Sequence, residues 1–256
     1  MWPTIFRFEN TALYSYTFFV SLAFLVGLFC FYQLTQAKIS ARHAINGTLF
    51  ASFVGFVGAR LLFVITQWDK FIQGDFSILR PWEGGVVFLG GFLTGALALF
   101  FYAKRKNLPL SYTFSAAAPS LAIAHAVGRI GCFLNGCCFG SHCTLPWAVT
   151  YTHELSAAPL FEKLHPTQLY EIIVLLFIFL LLKALHKNEI KVPKKYKAHP
   201  GILYLYLYGT LRFFIEFFRG DIFRGIWGPF STSQWVSLCL IFLALFLDFR
   251  RHQSHN

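Results

Sequence analysis

Apolar runs long enough to cross a bilayer recur seven times in this chain, at 13–33, 47–65, 86–103, 113–134, 167–185, 201–218 and 233–249. A hydrocarbon core about 30 Å thick needs roughly 20 apolar residues at helical rise. Backbone dissolved in lipid must satisfy its own hydrogen bonds, so such runs become helices. The spacing therefore predicts an all-α polytopic membrane protein with seven transmembrane helices. Only 13% of the 256 residues are charged, against about 25% in soluble domains. The first run is too long and too aromatic for a signal peptide and has only Arg7 before it, so it reads as a retained helix. No repeat or linker divides the chain, which reads as one membrane-embedded domain over 1–256, with 138–166 as its long non-cytoplasmic loop.

The net charge of +11 would suit nucleic acid, but its placement excludes that partner. Lys38 and Arg42, then Lys104 to Lys106, then the lysines of 183–197, then Arg250 and Arg251 follow alternate spans. All therefore fall on one side. By the positive-inside rule that side is the cytoplasm, which puts the N-terminus outside and the C-terminus inside. The lysine-rich 183–197 segment reads as a topology determinant beside anionic headgroups.

Against this background the polar exceptions stand out, because an ionisable group at membrane depth is costly and marks function by default. Arg60 sits in the second span behind Gly55 and Gly58. Glu83 precedes two glycine pairs, Gly84–Gly85 and Gly90–Gly91, whose backbone N–H groups suit either an anion or close helix packing. In the fourth span His125, Arg129 and Cys132 lie at i, i+4 and i+7, on one helix face. Asn135, Gly136 and Gly140 follow. The fifth span opens with HPTQLYE, bringing His165, Gln168, Tyr170 and Glu171. In the sixth, Arg212 and Glu216 are spaced to pair on one face, with Arg219 and Asp221 beyond. Several arginines in an apolar bundle describe a pocket for a lipid with an anionic head, since guanidinium forks match phosphate oxygens.

In order along the chain, GARLLFV around Arg60, WEGGVVFLGG, GRIGCFLNGCCFG, HPTQLYE and YGTLRFFIEFFRGD resemble the landmarks of the prolipoprotein diacylglyceryl transferase family. The resemblance covers nearly the whole chain. It implies a seven-helix enzyme of the bacterial inner membrane that needs no metal or organic cofactor. Its substrates would be phosphatidylglycerol and the lipobox cysteine of a prolipoprotein signal peptide, met among membrane lipids. Carried over by motif, Arg129 and Arg212 are the phosphate-binding arginines. Asn135, Gly136 and Gly140 shape the pocket, and Arg60 and Glu216 support it. His165, Gln168, Tyr170 and Glu171 match the fifth-span motif, while Gly84, Gly85, Gly90, Gly91 and Arg219 complete the substrate-binding set.

The signature also departs from the family. A catalytically important His is usual where this chain has Leu89, and Asn and Glu are usual where it has Cys132 and Cys137. Leucine cannot move a proton. Three readings follow: another base such as His125 or His165 serves the same reaction, Cys137 or Cys138 acts as nucleophile or directs another acceptor, or the site binds lipid without chemistry. The crowd of Cys132, Cys137, Cys138, His142 and Cys143 leaves four options open: packing thiols, a reactive thiol, a disulfide to Cys143, or a zinc site. The last lacks the usual C-x2-C spacing.

Overall fold

A computed structural model describes residues 2–8, 11–74, 85, 87–190, 199–221 and 225–253. Glu83 and Gly84, expected at the start of the third span, lie outside the described residues, as does 191–198. Helices dominate: α1 (Ser15–Thr35), α2 (Ala41–Thr66), the short α3 (Trp68–Ile72), α4 (Phe88–Arg105), α5 (Leu110–Asn135), α6 (Thr167–His186), α7 (Pro200–Ile215) and α8 (Thr232–Gln253). Among the described residues, six helices are long and apolar enough to cross a membrane. These are α1, α2, α5, α6, α7 continued to Phe218, and α8. The expected 86–103 span corresponds to α4, an 18-residue helix that carries Lys104 and Arg105 in its last turn.

Burial is inverted relative to a water-soluble fold. Phe53, Phe177 and Phe242 are more than 60% exposed, while Glu171 and Glu216 are 2% and 3% exposed. A chain in water could not hold that distribution; a chain in lipid requires it.

The residues divide into two compact units, Thr35–Thr113 and a second formed by Met1–Leu34 with Phe114–Asn256. In the first, α2 and α4 meet through glycines. A Cβ at Gly90 would stand 2.5 Å from the Gly58 carbonyl oxygen, and one at Gly91 would stand 3.1 Å from that of Gly55. The small-residue spacing read from the sequence thus brings two backbones together, where dispersion replaces the absent hydrophobic drive. Thr94 secures the crossing by donating to the Val54 oxygen at 3.2 Å.

In the second unit α7 packs on α6 and α8. His186 ties three helices at one end, its Nδ1 2.9 Å from Ser115 Oγ and its Nε2 3.0 Å from the Leu34 oxygen. Pro119 lies inside α5, a cost that membrane helices tolerate because neighbours re-satisfy the freed carbonyl.

Three small antiparallel ladders lie outside the helices: β1 (Thr4–Phe8) with β2 (Thr11–Tyr14), β3 (Val149–Thr150) with β4 (Lys163–Leu164), and β5 (Ile226–Trp227) with β6 (Phe230–Ser231). The sequence reading placed 13–14 in the first helix and the prolines of 138–166 in irregular loop. The second of these segments instead folds on its own small core of Tyr151, Ala158 and Leu164, with Phe139 and Val149 against it.

Candidate active site

Three helices of the second unit each contribute one side chain to a buried ion cluster. Glu171, in the first turns of α6, lies between Arg129 of α5 and Arg212 of α7. Its Oε2 is 2.5 Å from Arg129 Nε and its Oε1 is 3.4 Å from Arg212 Nη1. Arg212 Nη2 pairs with Glu216 Oε2 at 2.8 Å, the i, i+4 contact expected from spacing, and donates to Ser233 Oγ at 3.0 Å. Both terminal nitrogens of Arg212 are therefore engaged. Arg129 meets Glu171 through Nε alone, and its Nη1 approaches only the Cys132 sulfur, at 3.9 Å. Arg212 is thus bonded at both terminal nitrogens, whereas among the described residues Arg129 is bonded through Nε to Glu171 and through Nη1 to the Cys132 sulfur.

The arginines read from the sequence as a headgroup pocket come with matching acids. Arg129 and Arg212 are matched by Glu171 and Glu216, and Arg219 donates from Nε to Asp221 Oδ1 at 2.7 Å. Uncompensated guanidinium groups at this depth would cost several kcal/mol each. Charge balance is the condition for burying them.

The end of α5 is shaped by Gly136. Its φ of +76° follows Asn135, its N–H bonds to the Phe133 oxygen at 3.3 Å, and the Cys137 N–H bonds to that of Cys132 at 3.1 Å. This is a Schellman termination, in which a glycine takes the left-handed position and reverses the chain. The reversal folds Cys137 and Cys138 back onto Cys132, and the three sulfurs lie within 4.8 Å of one another. Thiol contacts from Cys132 and Cys137 hold Cys138 well below the ordinary thiol range, with the fields of Arg129 and Arg219 in support.

The HPTQLYE segment grips this turn. Gln168 Nε2 donates to the Cys137 oxygen at 2.7 Å and to Tyr151 Oη at 3.3 Å, and Thr167 Oγ1 donates to the Cys138 oxygen at 2.8 Å. Burial pushes the Tyr151 phenol up to about 12, outweighing the lowering effect of Gln168. His165 receives the Gly140 N–H on its backbone oxygen at 2.9 Å, and its Nδ1 is 3.2 Å from Tyr170 Oη. Trp147 Nε1 donates to the same hydroxyl at 2.8 Å. Gly140 has no room for a side chain, since a Cβ would collide with His165 and come 2.8 Å from the Phe218 oxygen.

The family described as prolipoprotein diacylglyceryl transferase matches residues 3–250 of this chain. A relative from Clostridium tetani (strain Massachusetts / E88), named phosphatidylglycerol–prolipoprotein diacylglyceryl transferase, is 33% identical over 248 residues. The match covers 96% of both chains. The chain belongs to the prolipoprotein diacylglyceryl transferase family. A relative from Clostridium perfringens (strain 13 / Type A), named phosphatidylglycerol–prolipoprotein diacylglyceryl transferase 2, is 32% identical over 232 residues, covering 90% of this chain and 87% of its own. One from Finegoldia magna, named as the first, is 30% identical over 236 residues, or 92% and 90% of the two chains. This family member is a multi-pass membrane protein.

Not every motif residue of the transferase lies in the second unit. Arg129, Asn135, Gly136, Cys137, Gly140, His165, Gln168, Tyr170, Glu171, Arg212, Glu216 and Arg219 do. His125 does also, with its ring centroid 5.0 Å from that of Tyr208. Arg60, Gly85, Gly90 and Gly91 belong to the first unit, where Arg60 Nη1 donates to the Gly85 oxygen at 2.8 Å. Sequence reasoning missed Ser233, Tyr151 and Trp147. No spacing rule links residues on separate elements, so nothing in the sequence could have found them.

Gly136 offers a direct test of the turn. Gly136→Ala forces an alanine to positive φ and drives its Cβ into Ser156, with the Tyr151 ring only 3.2 Å away. A left-handed non-glycine residue costs about 1–3 kcal/mol. The variant should unfold at lower temperature in detergent by at least that equivalent, while alanine at exposed Thr144, which is not among the residues at positive φ, should not.

Proposed function

We propose that this protein transfers the diacylglyceryl group of phosphatidylglycerol to the thiol of the lipobox cysteine in a prolipoprotein signal peptide, releasing glycerol phosphate. The carrying observation is the meeting of Arg129 and Arg212, from separate helices, at one shared carboxylate. Anchored by Glu171, Arg129 directs its terminal fork at the phosphodiester. Negative charge grows on the phosphate oxygens as the glyceryl carbon–oxygen bond breaks, and a fixed guanidinium stabilises that charge without reorganisation. Arg212, Glu216 and Ser233 hold the cluster, and Arg219 with Asp221 closes it beside Gly140. Asn135, Gly136, Gly140, Gln168, Tyr170 and Glu171 shape and support the pocket. Arg60 and the glycines at 84, 85, 90 and 91 are assigned to substrate binding by their place in the family motifs.

The acceptor thiol must lose its proton, having an ordinary pKa of about 8.5. Either His165, held by Tyr170, or His125, beside Tyr208, takes that proton. We assign the chain seven spans in the bacterial inner membrane, with the N-terminus outside and the C-terminus cytoplasmic, forming one functional domain. The lysine-flanked spans support that orientation.

The test is mass spectrometry of a lipobox peptide incubated with purified protein and phosphatidylglycerol. The expected result is a diacylglyceryl mass gain on the cysteine. Lipid that co-purifies with the protein but is never transferred would leave a lipid-binding protein in its place.

A further inference from the structure

The way α5 ends sets two sulfurs side by side. A Schellman termination brings together the side chain three residues before the cap and the one two residues beyond it, a contact that apolar groups usually fill. The bond from the Cys137 N–H to the Cys132 oxygen, at 3.1 Å, marks these two cysteines as that pair. Cys137 Sγ lies 3.7 Å from the same oxygen. Cys138 follows, and the three sulfurs lie within 4.8 Å of one another. Cys132 is buried and the other two are half-buried, and all are free thiols; Cys143 lies outside the group.

Cys138 differs from its neighbours in two respects. Its φ is +61°, a left-handed conformation that a residue with a side chain holds only under constraint. The constraint comes from α6: Thr167 Oγ1 donates to the Cys138 oxygen at 2.8 Å and Gln168 Nε2 to the Cys137 oxygen at 2.7 Å. Strain held in this way gathers at functional positions. Within electrostatic reach of the Cys138 sulfur are the thiols of Cys132 and Cys137, the guanidiniums of Arg129 and Arg219, the phenols of Tyr16 and Tyr151, and the His125 ring. The two thiols and the two guanidiniums favour a thiolate at Cys138. It is the best leaving group of the three, since a sulfur of lower pKa is expelled faster.

We propose that Cys132, Cys137 and Cys138 form a reversible thiol–disulfide site, in which Cys138 exchanges with a small disulfide and the bridge comes to rest between Cys132 and Cys137. The inference goes beyond the transferase reading and does not depend on it. The Cys138 thiolate attacks one sulfur of the small disulfide, whose other half leaves as a thiolate. Cys132 then attacks the Cys138 sulfur, the second half leaves, and a Cys132–Cys138 bridge forms. Cys137 attacks the Cys132 sulfur and expels Cys138, which passes the bridge to the pair that the turn already holds in contact. The protons of the Cys132 and Cys137 thiols end on the two released halves. Two protein sulfurs each lose one electron, and the small disulfide is reduced by two to a pair of thiols. A bridge between Cys137 and Cys138 is excluded, because adjacent Cα atoms are about 3.8 Å apart and an unstrained disulfide spans about 4.4–6.8 Å. A small dithiol runs the sequence in reverse. The side assigned above to the outside is one where disulfides form and persist.

The test uses the full-length protein in detergent, in a Cys239→Ser background that removes the exposed thiol of α8. The protein is reduced, desalted, incubated with oxidised glutathione, quenched by alkylation and mapped by mass spectrometry of its peptides. Two thiols should escape alkylation, joined as Cys132–Cys137, and dithiothreitol should restore both. Cys132→Ser should stop at a glutathione adduct on Cys138. The rate of bridge formation separates the entry thiol from its neighbours. With Cys138 already a thiolate, it should stay nearly flat from pH 6 to pH 8. In Cys138→Ser it should climb by more than ~10-fold over the same interval, as the thiolate fraction of an ordinary thiol does. Three thiols still open to alkylation after prolonged incubation overturn the site, as does a bridge to Cys143 or a lasting adduct on Cys138 with Cys132 present. A rate that climbs as steeply with Cys138 as without it overturns the entry role.

Discussion

Arg129→Ala is expected to lower the turnover of diacylglyceryl transfer by ~10²–10³-fold, the loss seen when one fixed donor to a developing oxyanion is removed. The reason lies in how the two central arginines are bonded. Arg212 uses both terminal nitrogens on Glu171, Glu216 and Ser233, whereas among the described residues Arg129 touches Glu171 through Nε and only the Cys132 sulfur through its fork. A defect in kcat exceeding that in KM would place the contact in the transition state rather than in lipid binding. Arg129→Lys sharpens the test. Lysine restores a positive charge beside Glu171 but not a planar fork, so it should recover thermal stability and little activity. Full transfer by Arg129→Ala would remove the phosphate site from this residue.

How much of this was written in the sequence differs from element to element. The spans were legible because lipid permits one backbone solution, so a run such as 167–185 announces α6 (Thr167–His186) within a residue at each end. The Arg212–Glu216 pair was legible because both residues are on one helix and 3.6 residues per turn sets their distance. The glycines at 55, 58, 90 and 91 could be read as either anion cradle or packing stripe. Only the crossing of α2 with α4 shows them against one another's carbonyls. The bridge through Glu171 was not legible at all, since the partner of a buried charge is chosen by how α5, α6 and α7 dock. For the same reason the sequence could not show which acid balances Arg129, which the structure pairs with Glu171. The thiol trio was half legible: N-G at a helix end predicts the reversal, but which of Cys137, Cys138 and Cys143 returns to Cys132 depends on the register of the turn.

Glu171→Leu is expected to destabilise the folded protein by about 3–5 kcal/mol, the penalty for breaking a buried ion pair by removing one partner. Glu171 is 2% exposed and touches two guanidiniums, so its loss strands charge on α5 and α7 together. Water cannot reach them cheaply at this depth, and neither arginine can lose its proton to escape. Glu171→Gln keeps an acceptor oxygen and the shape of the side chain, so it should recover part of the stability. It cannot restore charge balance, and Arg129 would then be drawn toward the phosphate permanently instead of being shared with Glu171. Product glycerol phosphate carries more negative charge than the lipid it came from. In the glutamine variant it should therefore leave slowly, giving a burst of one transfer per enzyme followed by a slow steady state. Thermal unfolding in detergent separates the two substitutions, and a rapid-mixing time course reads the burst. A glutamine variant as stable and as fast as wild type would show that the carboxylate neither holds the arginines nor competes with the lipid for Arg129.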